Sequence, residues 1–315
     1  MTLTNSGKFN SAIDDLSHRA LKAKFKIRQL MSSVNVIPVR TFLKLFDAVI
    51  QPILLYGSEI WGPEVLNIEY LNLNSKIEKT QIKYLKSILQ VNSKTTNIAV
   101  LLELGRFPLQ YQIAMAMIKY WVKVISSPEN SLIREAYQME RESANTHHNW
   151  VSSIHSLLTK FGFEEVLRNH QIDQIHIADI SLKIKDHFAQ KINETLFNDN
   201  RQGNMKNKLR SYRLFKKELN YESYIDIIKN PYMRASLTQF RLSAHQLNIE
   251  TGRHHKMALE KRICKCCKTN EIEDEMHFLF NCPLYEMERK DILNMDVKQH
   301  KLQESFIEIM KRPIY

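Results

Sequence analysis

The four cysteines of the chain lie close together near its C-terminus, between Cys264 and Cys282. Two residues separate Cys264 from Cys267, and four residues separate His277 from Cys282. A tetrahedral zinc ion takes four thiolate or imidazole ligands, and a Cys-x2-Cys turn followed by a His-x4-Cys pair supplies them. The sequence therefore predicts one structural zinc ion bound by Cys264, Cys267, His277 and Cys282, with Cys266 as a spare cysteine.

Two other interpretations of the cysteines stay open at this point. The thiols could be reduced and unliganded beside an unrelated histidine. A disulfide is less favoured, because the first residues, MTLTNSGKFN, lack the apolar segment of a secretory signal and intracellular thiols stay reduced. The chain also has no uncharged apolar run of the roughly eighteen residues that suggest a membrane span. We expect an intracellular protein that is not secreted, is nuclear, cytoplasmic or both, and has no membrane partner.

The composition is that of a folded protein built mostly from helices. The chain has 315 residues, of which 43% are hydrophobic and only 7 are glycine. Few glycines leave few positions for tight hairpins, and the abundant Leu, Ile, Lys, Glu and Gln favour helices. Apolar residues recur at helical spacing in six stretches, at residues 11–30, 41–55, 77–91, 97–104, 109–125 and 150–161. The sequence predicts a mainly α fold with helices in these ranges.

Some positions in these helices carry their own expectations. Pro52 should kink or restart the helix at residues 41–55, because proline has no N–H to donate. Gly105 should follow the end of the helix at residues 97–104. A stripe of large apolar side chains in the helix at residues 109–125 should pack in the core; its members are Met115, Met117, Tyr120 and Trp121.

The net charge of +11 is concentrated in two stretches. The first basic window, residues 17–44, has 7 Lys or Arg and no Asp or Glu. The second basic window, residues 201–262, has 14 Lys or Arg and 5 Asp or Glu. A surplus of positive charge that is confined to two stretches indicates surfaces that face a polyanion. Solvated helix faces rich in lysine are the alternative for both windows.

Five stretches resemble, in the same order, segments of the reverse transcriptases of non-LTR (LINE-type) retrotransposons of animals. They are SGKF at 6–9, FDAVIQPILLYGSEIWG at 46–62, ELGRFPL at 103–109, LSAHQLNIETGR at 242–253 and CKCCKTNEIEDEMHFLFNCPLY at 264–285. In that family the first lies just beyond the polymerase core and the second follows the catalytic palm. The resemblance covers nearly the whole chain and implies the thumb and the CCHC zinc-binding region of such a polymerase, without its palm and fingers.

The resemblance implies an arrangement of a helical thumb-like region followed by a small C-terminal zinc knuckle. The expected domains are entry helices at 1–62, a helical region at 63–200, a basic helical nucleic-acid-facing segment at 201–255, a CCHC module at 256–290 and a C-terminal helix at 291–315. The family's zinc ligands fall on the same four residues as the spacing argument.

The family's catalytic signature is an aromatic residue two positions before paired aspartates on a β-hairpin. The one adjacent aspartate pair, Asp14 and Asp15, lacks that aromatic residue and is followed directly by a basic helical pattern. Two-metal nucleotidyl transfer needs clustered carboxylates that hold metal ions about 3.5–4 Å apart. We therefore expect no enzymatic activity of this chain, although the full-length family would be an RNA-directed DNA polymerase.

A polymerase thumb grips the template duplex, so the resemblance implies phosphate contacts from both basic windows. The expected contacts are Lys22, Lys26 and Arg28 in the first window and Lys206, Lys208, Arg210, Arg213, Lys216 and Lys217 in the second. Tyr212 and Phe215 could stack on unpaired bases or could equally be buried core aromatics. The expected function is that of a non-catalytic reverse transcriptase fragment that binds RNA, DNA or both through basic helices and the zinc module.

Two alternatives to that function stay open. The chain could be a structural protein-interaction module in which zinc only staples the fold and the surface of residues 46–61 binds a partner. It could also be part of an active RNA-directed DNA polymerase if it is a fragment of a longer protein. A palm domain or another polymerase fragment would then be its partner.

Overall fold

A computed structural model describes residues 8–32, 37–143, 149–169, 172–197, 208–293 and 301–311. Within these ranges the chain is mainly helical, with seventeen α-helices and no strand. Two isolated antiparallel bridges, between Leu104 and Tyr221 and between Ile263 and Ile272, are the β-type pairings in the described residues. The prediction of a mainly α fold is confirmed.

Helices lie in all six stretches where helical periodicity predicts them, and the structure adds others. The α-helices of the described residues are α1 (Asn10–Met31), α2 (Val39–Leu45), α3 (Gln51–Leu54), α4 (Ser58–Trp61), α5 (Lys76–Ile88), α6 (Asn97–Glu103), α7 (Leu109–Ile125), α8 (Leu132–Ser143), α9 (Trp150–Lys160), α10 (Glu164–Asn169), α11 (Gln174–Phe197), α12 (Tyr212–Phe215), α13 (Tyr224–Ile227), α14 (Pro231–Arg241), α15 (Asn248–His254), α16 (Glu286–Leu293) and α17 (Leu302–Lys311). No helix of the described residues is long and apolar enough to cross a membrane.

The helix expected at residues 41–55 is interrupted. A π-helical turn at Phe46–Ile50 separates α2 from α3, and Pro52 lies in the first turn of α3. Because Pro52 has no N–H for the carbonyl four residues earlier, the α-helical hydrogen-bond pattern cannot run through this point. The expected restart at Pro52 is confirmed.

The chain divides into two compact units, and the first contains residues 1–37, 41–84 and 106–192. Helix α7 is central to it and packs on α4, α8 and α9. In α7, Met115, Met117 and Trp121 are buried as expected, whereas Tyr120 is half-buried. A Cβ atom at Gly62 would lie 2.6 Å from Sδ of Met117, so α7 leaves no room there for a larger residue.

The second unit contains residues 38–40, 85–105 and 193–315. A buried polar network lies in its core, with the guanidinium of Arg241 at the centre. Nε of Arg241 donates to Glu103 and Nη2 donates to Glu222, both at 2.6 Å. The hydroxyls of Tyr212 and Tyr224 also donate to Glu103, at 2.9 and 2.8 Å. These bonds tie α6 to α12, α13 and α14 inside the unit.

Gly105 follows the end of α6 with a positive φ of 59°. A Cβ atom at this position would lie 2.6 Å from the backbone nitrogen of Tyr221, next to the Leu104–Tyr221 bridge. Glycine is therefore required both by the left-handed backbone conformation and by the close approach of a second chain segment. The expectation for Gly105 is confirmed.

Candidate metal centre

The isolated antiparallel bridge between Ile263 and Ile272 positions the first cysteine of the predicted site. The backbone N–H of Cys264 donates to the carbonyl of Glu271 at 2.8 Å, and that of Glu273 donates to the carbonyl of Arg262 at 2.9 Å. These bonds flank the Ile263–Ile272 bridge and fold residues 262–273 back on themselves. Cys264 and Cys267 consequently lie at the closed end of this segment.

A π-helical turn positions the other two predicted ligands. The turn spans His277–Asn281, and the carboxylate of Asp274 accepts the backbone N–H of His277 at 2.8 Å, which caps the start of the turn. The backbone N–H of Cys282 donates to the carbonyl of His277 at 2.7 Å. Arg289 of α16 then donates to the carbonyl of Cys282 at 2.6 Å. His277 and Cys282 are thus held at the two ends of one turn.

The four predicted ligands lie together. One ligand atom from each of Cys264, Cys267, His277 and Cys282 falls within 4.8 Å of every other, and all but the half-buried Cys267 are buried. Sγ of Cys267 is 3.4 Å from Nε2 of His277. Four soft ligand atoms this close together in a largely buried position could hold a metal ion.

The imidazole of His277 is oriented by a carboxylate. Its Nδ1 lies 2.7 Å from Oε2 of Glu271, and its Nε2 faces the thiol of Cys267. A carboxylate at Nδ1 favours the tautomer that carries its proton there, so the lone pair of Nε2 is free to bind a metal. Spacing alone did not single out Glu271 for this role, although a carboxylate is a common partner of a metal-bound histidine.

The environments of two thiols differ. Burial raises the pKa of Cys264 to about 12. A hydrogen bond with the hydroxyl of Thr269, at 3.1 Å, lowers the pKa of Cys267 to about 6. Because metals bind the thiolate, loading the site would release the Cys264 proton near neutral pH, whereas Cys267 is already largely ionised there.

The spare cysteine is exposed but close to the site. Cys266, Cys264 and Glu273 each offer an atom within 4.8 Å of the others, so this set overlaps the four-ligand cluster at Cys264. Oε1 of Glu273 also accepts a long hydrogen bond of 3.8 Å from the Cys264 thiol. Cys266 is thus a neighbour of Cys264 that lies outside the four-ligand set.

Ion pairs connect the segment that carries the predicted ligands to Arg210 in the second basic window. The guanidinium of Arg210 donates to Glu250 at 3.0 Å and also to Glu275, which lies two residues before His277. Nε2 of His245 lies 3.0 Å from the same Glu275 carboxylate. Burial alone would raise the pKa of Glu275, but the His245 hydrogen bond and the Arg210 charge lower it to about 2.

The first basic window presents its predicted contacts to solvent. Lys22, Lys26 and Arg28 are all exposed on α1. The structure adds Lys24, whose Nζ donates to the carbonyl of Lys83 on α5 at 3.2 Å. The positive charge of this window therefore extends from α1 to the neighbouring surface of α5, an extension that periodicity along a single helix could not predict.

The second basic window differs from the expectation. Tyr212 and Phe215 are buried in the core of the second unit, so the interpretation of both as core aromatics is correct and their stacking on bases is wrong for this structure. Lys216 is also buried and donates to Glu222. Arg210 donates to Glu250 and Glu275. The phosphate contacts expected of Lys216 and Arg210 are therefore also wrong for this structure, because carboxylates already occupy both side chains. A count of charges along the chain does not show which groups are paired in this way.

Of the other predicted contacts in this window, Lys217 is exposed, and its Nζ lies 4.9 Å from the ring centroid of Phe197. Lys208 and Arg213 are half-buried, and Nε of Arg213 donates to the carbonyl of Leu196 at 2.6 Å. Lys206 lies outside the described residues.

Comparisons with known proteins add no further assignment. No protein-family model, curated protein or solved structure matches the chain. The observations that bear on its function are therefore the four-ligand cluster and the distribution of charge described above.

Proposed function

We propose that this protein is a non-catalytic nucleic-acid-binding protein whose C-terminal end is organised by one structural zinc ion. The observation that carries the proposal is the set of four sulfur and nitrogen atoms within 4.8 Å, from Cys264, Cys267, His277 and Cys282. Zinc bonds of about 2.0–2.3 Å in a tetrahedron place sulfur and nitrogen ligands about 3.5 Å apart. The separation of 3.4 Å between Cys267 and His277 agrees with that value.

Zinc is the ion that this ligand set favours. Three thiolates and one imidazole are soft ligands, and a closed set of four leaves no position for a substrate or water. The ion would hold residues 262–282 together, and Glu271 would keep His277 in the required tautomer. A structural role fits this closed set better than a catalytic one.

RNA or DNA is the partner that the charge distribution favours. Lys22, Lys26 and Arg28 project from α1 into solvent, and no ion pair of the described residues involves them. Uncompensated cations along one helix are suited to a phosphate backbone. The arrangement is similar to what is expected of the thumb and zinc-binding region of a LINE-type reverse transcriptase, with a palm domain as a possible further partner.

The absence of catalysis is proposed from the positions of the paired aspartates. Asp14 and Asp15 both lie in α1, not on a hairpin. Asp14 forms an ion pair with Lys76, and Asp15 lies 3.8 Å from Arg19. Carboxylates that neutralise lysine and arginine on a helix do not form the clustered cage of a two-metal polymerase site.

Metal analysis of the purified protein tests the zinc proposal. We expect one equivalent of zinc, and we expect Cys282→Ala to lose most of it. Cys266→Ser is the matched control, because it removes a neighbouring thiol outside the four-ligand set and should retain the ion. A protein without metal, or full occupancy in Cys282→Ala, would show that the proposal is wrong.

Salt-dependent binding tests the nucleic-acid proposal. On duplex DNA, the logarithm of the affinity should fall with the logarithm of salt concentration by about 0.9 for each phosphate contact. Changing Lys22, Lys26 and Arg28 to Gln should weaken binding and flatten this dependence. Binding that ignores salt, or no binding at all, would contradict the proposal.

A protein-interaction module is the second candidate, favoured by one observation. Val49, Tyr56 and Ile60 are exposed apolar side chains within residues 46–61, and Tyr56 is 65% exposed. Exposed apolar groups close together in a chain segment are typical of partner-binding surfaces. Absence of nucleic-acid binding, together with retained zinc, would favour this candidate.

A further inference from the structure

Two lysine ammonium groups meet at one turn of the second unit. Nζ of Lys86 donates to the carbonyl of Ser93, and Nζ of Lys208 donates to the carbonyl of Lys94, each at 2.8 Å. Lys86 is buried, Lys208 is half-buried and Lys94 is exposed. Lys208, which is 114 positions from Lys94, therefore adds a third positive charge to those of Lys86 and Lys94 at the turn of residues 92–96.

No ion pair of the described residues involves these three ammonium groups, although burial lowers the pKa of Lys208 and the negative charge of Glu250 acts on it in the opposite direction. Burial, followed by the charge of Lys208, lowers the pKa of Lys86 to about 8. A buried cation without a counter-ion is unfavourable, so the burial of Lys86 beside the half-buried Lys208 suits a bound anion.

A fourth cation lies at the same surface. Nη2 of Arg253 donates to Glu250 at 2.7 Å, but Glu250 also accepts from Arg210, so one carboxylate serves two guanidinium groups. The adjacent His254 is exposed. Partial burial, followed by the charges of Arg253 and Lys94, lowers the pKa of His254, whereas the charge of Glu250 opposes this shift.

We propose that Lys94, Lys208 and Arg253, supported by Lys86, form a phosphate-binding surface for a nucleic-acid backbone; this inference rests on the proposed function. Even with the negative charge of Glu250 beside them, the four cations exceed the charge of a single phosphate group, which favours a chain of phosphates over a free ion. This Lys94 surface replaces Arg210, Lys216 and the rings of α12 as the contact of the second unit with nucleic acid.

The test compares two variants that remove the same charge. Lys94→Gln with Lys208→Gln alters the Lys94 surface, and glutamine at position 208 can still donate a hydrogen bond. Lys119→Gln with Lys123→Gln removes two exposed lysines of α7 and serves as the matched control. Binding of a fluorescein-labelled oligo(U) RNA is measured by anisotropy from about 50 to about 200 mM salt.

The Lys94 surface variant should bind about tenfold more weakly, and its log–log salt slope should be shallower by about 1.4, which corresponds to two contacts of about 0.7 each on a single strand. The control should bind like the parent. Equal losses in both variants would show that only net charge matters, and an unchanged Lys94 surface variant would place the contact elsewhere. Either result overturns this inference and leaves the proposed function intact.

Failure of the proposed function gives a different result, because the parent itself then binds neither this RNA nor duplex DNA. Inorganic pyrophosphate, titrated while the backbone amide of Lys94 is followed by NMR, distinguishes the source of the phosphate in that case. A saturable shift without RNA binding would assign the surface to a small polyphosphate and overturn the nucleic-acid inference. No shift and no RNA binding would overturn any phosphate site here.

Discussion

Nε of Arg241 donates a hydrogen bond to Oε1 of Glu103 at 2.6 Å, across 138 positions of sequence. The two side chains are 1% and 0% exposed. Because the guanidinium also donates to Glu222 and to the carbonyl of Met310, every side of it is hydrogen-bonded or packed on aromatic rings. This buried charge joins α6, α14 and α17 in the core of the second unit.

Breaking that pair should strongly destabilise the second unit. Glu103→Gln leaves the Arg241 charge buried with one carboxylate instead of two, and removing a partner of a buried ion pair costs about 3–5 kcal/mol. Urea unfolding followed by circular dichroism measures the loss. Asp15→Asn, which alters an exposed ion pair with Arg19, should leave the midpoint unchanged. A Glu103→Gln midpoint equal to that of the parent would contradict this prediction.

Glu78 should make the first unit sensitive to pH. Its Oε1 accepts the backbone N–H of Gln110 at 2.9 Å, and Oε2 has no partner among the described residues. Burial raises the pKa of Glu78 from 4.5 to about 8. Below about pH 4.5 the carboxyl is protonated in both folded and unfolded states, whereas between about 4.5 and 8 the folded state alone keeps the proton. Stability is therefore lost as pH rises through this interval.

Glu78→Gln tests that pH dependence, because its amide oxygen can still accept the Gln110 N–H and it carries no charge. The parent should lose on the order of 3–5 kcal/mol relative to the variant between about pH 4.5 and 8. Unfolding midpoints of both proteins are measured at each pH. Any pH dependence that arises at the metal centre is common to both proteins and cancels in the difference between their midpoints. Unfolding midpoints that change with pH in parallel for parent and variant would contradict the prediction.

Glu271→Gln should weaken metal binding without removing a ligand. The substitution takes the negative charge from the group that orients His277, and loss of such a partner typically costs about 10–100-fold in metal affinity. Competition with a chromophoric chelator measures the affinity. Glu288→Gln, on the exposed part of α16, is the control for the lost charge. Equal affinities in the two variants would mean that Glu271 does not orient the ligand.

Gly105→Ala and Gly162→Ala separate two destabilising effects of an added Cβ atom, namely backbone strain at positive φ and a steric clash. Both glycines have positive φ values, 59° and 78°, so each alanine pays a backbone penalty of about 1–2 kcal/mol. At Gly162 a Cβ atom meets nothing within 4 Å, whereas at Gly105 it would clash with the backbone of Tyr221. Thermal unfolding should show a larger loss for Gly105→Ala, and equal losses would count against the close approach.

Primer extension tests the absence of polymerase activity. With a poly(rA) template, an oligo(dT) primer and any divalent ion, the purified chain should add no nucleotide, because Asp14 and Asp15 of α1 pair with Lys76 of α5 and Arg19 of α1 and do not form a metal-binding carboxylate cluster. Extension that disappears in an Asp14→Asn, Asp15→Asn variant would reverse this expectation. Extension that survives in the variant would indicate a contaminating enzyme.

Local features of the fold and of the metal centre could be predicted from the sequence. Helical periodicity located α1, α5, α7 and α9, and the Cys and His spacing identified the four ligands that lie together. Each of these depends on residues within one or two turns of chain. The requirement for glycine at position 105 was predictable for the same reason, as a consequence of ending α6.

Features that depend on distant partners could not be predicted. Lys216 and Arg210 look like solvent-facing cations until the structure supplies Glu222, Glu250 and Glu275. Conversely, Lys94 stands alone in sequence, and only folding brings Lys208 beside it. Charge counting along the chain sums cations without knowing which are neutralised, so it could not show that Arg210 and Lys216 in the second basic window are paired with carboxylates.

The Arg210–Glu275 pair links two events that are otherwise separate. Glu275 and the ligand His277 lie in the same short segment, so a metal ion that orders this segment also holds the carboxylate against Arg210. A polyanion that drew Arg210 away would loosen the same segment. The two binding affinities are coupled reciprocally. If the bound metal weakens polyanion binding by some factor, the bound polyanion weakens metal binding by the same factor. We expect a polyanion to bind more tightly after the metal is chelated and to lower the metal affinity by the same factor, two affinities that parallel titrations can compare.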